Sequence, residues 1–180
     1  MRAVRKSMTT VSIRSLYAEV RAASWFAALG EPLSDGDRAD ALDYSGIIEV
    51  QRVASWADAE AFLKLPATLA WWDREEVLRR ELLARAAARH PERALWTALT
   101  ELTTEAGDLV HGKAATSAAR MGGAVPASIH VAAGAAAQAV YQLAVARLSG
   151  VDGSAFESKF RLFAAGRWPL GVAGPRLVLF

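Results

Sequence analysis

The stretch from Met121 to Ala146, MGGAVPASIHVAAGAAAQAVYQLAVA, contains no Asp, Glu, Lys or Arg, in a chain of which those residues make up 22%. Such a run is either a membrane span or the inner helix of a bundle, and the choice decides the fold. About 20 predominantly apolar residues suffice to cross a bilayer, and residues 127–146 meet that length. Their composition argues the other way. Alanine supplies much of the run and adds little to transfer into hydrocarbon, while His130, Gln138 and Gln142 oppose it. The flanks carry neither a Lys/Arg cluster nor an aromatic belt. On a helical wheel Ile129, Val140 and Leu143 mark one side and Val131, Tyr141, Val145 and Leu148 the other, with Ala132, Ala135, Ala139 and Ala146 as a small-residue strip between them. A helix apolar nearly all round is one that other helices enclose. Residues 126–149 are therefore expected to form the central helix of a soluble bundle, and membrane association is the less favoured alternative.

Outward from this run, composition points the same way. Of 180 residues 39 are alanine, the strongest intrinsic helix former. The length is that of one ordinary domain able to bury a core without disulfides, and no repeat or low-complexity linker divides it. Residues 1–180 are expected to be a single helical domain. No cysteine is present, which excludes disulfides, thiolate metal sites and cysteine nucleophiles and suits a reducing cytoplasm. The net charge of +2 is a small excess of 21 basic over 19 acidic residues, which does not point to nucleic acid. The amino end is Arg- and Ser-rich and superficially resembles a transit peptide, but it runs directly into a helical pattern. Residues 1–8 are expected to fray, and Met8 is an equally plausible start.

Periodicity then places the other helices. Ile13, Leu16, Val20, Ala23 and Ala27 share a face and predict a helix from Thr9 to Leu29, stopped by Gly30 and Pro32. Ser34 and Ser55 are expected to cap two short helices, DGDRADALDY and WADAEAFLKL, the second ended by Pro66. Between them IIEVQRV, residues 47–53, is rich in β-branched residues and reads as a short strand. In the segment from Thr68 to His90, Trp71, Leu78, Leu82 and Ala86 share one face, with Glu76/Arg80 and Glu81/Arg85 as outward pairs. After Pro91, Leu95, Leu99, Leu102, Ala106 and Leu109 repeat at 4,3,4,3 spacing, and the two helices are expected to fold as an antiparallel hairpin. Phe156, Phe160 and Phe163 line a helix from Ser154 to Ala165, ended by Gly166. Residues 166–180 read as two extended runs around Gly174 and Pro175, able to pair with each other or with residues 47–53. The fold class is thus mainly α: a single-domain bundle of six to seven helices with a small C-terminal β element.

Chemistry is harder to find. No nucleophile elbow, S-x-x-K in a credible setting, dinucleotide fingerprint or phosphate loop occurs, so the reading leans away from an enzyme. The arginines from Arg74 to Arg93 interleave with Asp73, Glu75, Glu76, Glu81 and Glu92, the pattern of a solvated, salt-bridged helix rather than of a nucleic-acid face. Asp108 and His111 stand at i,i+3, the spacing of carboxylate and imidazole ligands on helical metal sites, with Glu105 one turn earlier. The same acids suit a solvated face. His90, just before Pro91, reads as a helix-end cap. Of six tryptophans, Trp72 falls at the edge of the leucine stripe, and with Trp25, Phe26 and Trp168 it is the candidate partner-binding surface, although core placement of all of them is the simpler expectation. The functional expectation is a non-catalytic protein-interaction or regulatory module, cytoplasmic, with a protein partner or self-association and no cofactor. The alternatives are a metal-binding protein using Glu105, Asp108 and His111, and a membrane-associated helical protein.

Overall fold

In the computed structural model, which describes residues 14–65 and 69–180, most of the charge-free run lies in one 24-residue helix, residues 126–149, packed against its neighbours. In chain order the elements are α1 (residues 14–22), α2 (Asp35–Ser45), β1 (Glu49–Arg52), α3 (Trp56–Leu63), α4 (Leu69–Arg89), α5 (Glu92–Met121), α6 (Pro126–Ser149), α7 (Ala155–Ala164), β2 (Pro169–Ala173) and β3 (Arg176–Leu179). The protein is mainly α, a helical bundle with a small C-terminal sheet. The expectations for residues 1–13, including Ile13 and the choice between Met1 and Met8, lie outside the described residues, as does Pro66.

α6 is the hub, and α4, α5 and α7 all pack on it. Its small side chains make this possible, because Ala132, Ala136, Ala139, Ala144 and Ala146 are fully buried and let neighbouring backbones approach closely. The wheel overstated its enclosure. From Ala139 to Ser149 only Tyr141 and Arg147 reach solvent, whereas the amino-terminal half exposes His130, Val131, Gly134 and Gln138. α6 is also long and apolar enough to cross a membrane by length and composition, and 56% of its most apolar window is buried against the rest of the chain.

The hairpin expected between α4 and α5 is corrected. The turn at His90 and Pro91 leaves these two helices in little contact, and each packs instead on α6. The buried leucines of α5, Leu95, Leu99 and Leu102, join the buried alanines of α6 in one core cluster as α5 packs on α6. His90 ties the turn down, its Nε2 lying 2.9 Å from the Leu148 carbonyl oxygen.

α1 ends earlier than its periodicity predicts. The helical hydrogen bonding stops after Ala23, and Phe26 adopts a left-handed backbone at φ 59. That reversal, uncommon for a bulky residue, turns Trp25 and Phe26 inward against Phe160 and Phe163 of α7. Burial of two large aromatics, about 1.5–3 kcal/mol each, outweighs the conformational cost of about 1–3 kcal/mol. The Trp25 indole N–H is satisfied by the Val20 carbonyl oxygen at 2.7 Å.

The caps of the short helices form as their sequences require. Ser34 and Asp37 close a reciprocal capping box on α2, and Gly46 ends that helix at φ 69. Ser55 caps α3 and Ser154 caps α7. The sheet resolves the pairing of the extended runs, because β3 takes both partners: β1 in parallel and β2 antiparallel, in the order β1-β3-β2. Beyond β2 and β3, Trp168 and Phe180 exchange backbone hydrogen bonds, so the chain end is sewn into the sheet and its aromatic ring meets Trp56.

Candidate functional site

Where α2, α4 and α7 converge, three polar side chains are buried together. Glu75 and Lys159 keep 7% and 3% of their surface exposed. The Lys159 Nζ donates to Glu75 Oε1 at 2.7 Å, and the Tyr44 hydroxyl donates to the same oxygen at 2.8 Å. Around them stand Trp71, edge-on to Tyr44 with centroids 5.3 Å apart, and Trp72. The Lys159 ammonium lies 5.5 Å from the Tyr44 ring centroid and 5.9 Å from that of Trp72, so its charge is shared between one carboxylate and two π faces.

The electrostatics follow from this dry setting. Burial depresses the Lys159 ammonium below its ordinary value, and the Glu75 carboxylate recovers part of the loss. Burial holds the Tyr44 hydroxyl well above its ordinary value, and the charge and hydrogen bond of Glu75 add to it, with Trp71 opposing. One polar atom in the cluster, Glu75 Oε2, is buried without a hydrogen-bond partner. A buried carboxylate oxygen without a donor leaves the cluster with acceptor capacity to spare. Trp72, 38% exposed, is the ring of this group that reaches solvent.

A second buried ion pair is saturated by comparison. Arg167 donates from Nη2 to Asp37 Oδ2 at 3.0 Å and to the Pro32 carbonyl at 2.7 Å, and from Nη1 to the carbonyls of Glu31, at 2.9 Å, and Ala28. Burial pushes the Asp37 carboxyl upward, but the Ser34 N–H and hydroxyl and the Arg167 guanidinium outweigh it and hold the group below the usual range. This pair fastens the segment after α1 to α2 and to the end of α7.

The expected partner-binding residues separate. Trp25, Phe26 and Trp168 are 2%, 0% and 1% exposed and belong to the main core, which corrects their placement on a surface. The cause is the left-handed turn at Phe26 for the first two and the Trp56–Trp168–Phe180 aromatic cluster for the third. Trp72 remains as the surface member of the four.

The candidate metal ligands separate as well. Glu105 pairs with Arg21 at an open cleft of about 500 Å³ lined by Tyr17, Thr100, Glu101, Thr104 and Glu105, where desolvation, then Glu105 and Glu101, raise the Tyr17 hydroxyl. Asp108 is exposed, and His111 stacks on His130 of α6. Among the described residues no three His, Cys, Asp or Glu side chains gather as a ligand set. Residue spacing along one helix could not reveal that Glu105 turns toward α1 and His111 toward α6.

Glu75 and Lys159 carry a signal that counting charges conceals. Glu75 stands four residues after Trp71 and three before Leu78, on the buried stripe, amid the interleaved charges of α4. Lys159 lies between Phe156 and Phe160 on the aromatic face of α7. Opposite charges on two inward stripes are the sequence trace of a buried pair.

None of the protein-family models, the curated proteins and the solved structures compared with this chain matches it.

Proposed function

We propose that the protein is a non-catalytic, cytoplasmic interaction or regulatory module whose contact surface centres on Trp72. The observation that carries this reading is the setting of that ring. Trp72 presents over a third of its surface to solvent while its indole lies over the buried ammonium of Lys159, itself held by Glu75 and Tyr44. A large aromatic side chain supported in this way loses little conformational entropy on binding, which is what favours Trp as an interface anchor. The partner is a protein or a second copy of this chain, meeting Trp72 with an apolar pocket.

The test captures partners of the full chain from detergent-free lysate of its native host beside Trp72→Ser, with sedimentation of both purified proteins to detect self-association. A stoichiometric complex or dimer present in the wild type and lost in the folded Trp72→Ser variant supports the reading. A monomer that captures nothing, or a complex that survives the substitution, overturns it.

A further inference from the structure

His111 of α5 and His130 of α6 face each other across the hairpin formed by these two helices, with ring centroids 4.9 Å apart and planes inclined by 31°. Both residues are exposed. Among the described residues neither ring takes part in a hydrogen bond or ion pair, in contrast to His90, which is engaged with the Leu148 carbonyl. The ring nitrogens of the pair are therefore open to an added ligand. The backbone that carries them is stiff, because Ala106, Val110 and Ala114 of α5 and Ala132, Ala133 and Ala136 of α6 are buried in the core beside them.

We propose that His111 and His130 together chelate one transition-metal ion of the class that prefers imidazole, such as Zn²⁺ or Ni²⁺, and so clamp α5 to α6. With metal–nitrogen bonds of about 2.0–2.1 Å and a tetrahedral angle, the centroids of two ligating imidazoles stand about 5 Å apart. That spacing is already present, so loading requires a change of ring tilt and no movement of the helices. Exposed rings turn readily about their side-chain torsions. His130 replaces Glu105 in the ligand set that helical spacing suggested. Asp108 precedes His111 by one turn but does not join the pair in a group of three, so water fills the remaining positions and the site is an open one.

The test is calorimetric titration of untagged protein with ZnCl₂ and with NiCl₂, on the wild type and on His111→Ala, His130→Ala and His90→Ala. The expected result is one ion per chain, a loss of at least about tenfold in affinity for each of the first two variants, and wild-type affinity for His90→Ala. The melting temperature should rise with added ion only where both histidines are present, because the ion binds the folded arrangement alone. Both positions are exposed, and circular dichroism verifies that each variant keeps its helices. Binding that survives loss of either ring, or no binding to the wild type, overturns the proposal.

Discussion

Lys159 donates to Glu75 across 2.7 Å inside the molecule, each side chain less than a tenth exposed. Removal of one partner strands a charge in a dry setting and costs about 3–5 kcal/mol, whereas apolar replacement of both is often neutral. Lys159→Met is expected to lose stability on that scale, and Glu75→Leu combined with Lys159→Met to recover most of it. Urea unfolding of the single and double variants measures both. A single substitution that costs under about 1 kcal/mol would mean that water reaches the pair.

Asp37 gives the fold an acid limit. Its carboxyl is held below the usual range in the folded protein, so between its ordinary value and the folded one the unfolded chain binds a proton that the native state refuses. The stability it contributes is complete above about pH 4 and falls as pH drops through the folded value. Denaturant midpoints of wild type and Asp37→Asn are expected to differ at pH 7 and to converge toward pH 2. A constant gap across that range would remove Asp37 from the acid response.

Two tryptophans are expected to behave in opposite ways. Trp25→Ala empties a site enclosed by Phe160 and Phe163 and should cost about 3–5 kcal/mol. Trp72→Ser, at a partly exposed position, should cost about 1 kcal/mol. Thermal melts distinguish them, and equal losses would show that Trp72 is a core residue in solution.

Gly166 holds the turn that seats Phe26. It adopts φ 90, and a Cβ there would stand 2.6 Å from the Ala28 backbone nitrogen. Gly166→Ala is expected to cost about 3 kcal/mol or more from strain and backbone displacement. Gly46→Ala, in the left-handed helical region at φ 69 and ψ 10 with nothing within 4 Å of a Cβ, should cost about 1–2 kcal/mol. Similar unfolding midpoints for the two variants would mean that the Gly166 backbone yields freely.

Much of the architecture was legible from local patterns. The charge-free run supplied most of α6, with the expected bounds at 126 and 149, and the serines at 34 and 55 capped the helices that follow them. Caps, proline starts and glycine stops act within a few residues, so sequence alone displays them. The Trp72 position at the edge of a stripe was visible for the same reason. The pairing of Glu75 with Lys159, 84 residues apart, and that of His111 with His130 required the packing of separate helices.

By itself the sequence determined the class of the fold: an alanine-rich bundle, the helices along it and the short extended runs that close it. Local propensity and side-chain periodicity suffice for that, because each element buries a face it already displays. Only the tertiary structure decided that α4 and α5 meet α6 instead of each other, that β3 accepts both β1 and β2, and that Trp25, Phe26 and Trp168 belong to the core. These outcomes depend on how faces from distant segments share the same apolar surface, a competition among whole packings that no single stretch of sequence contains.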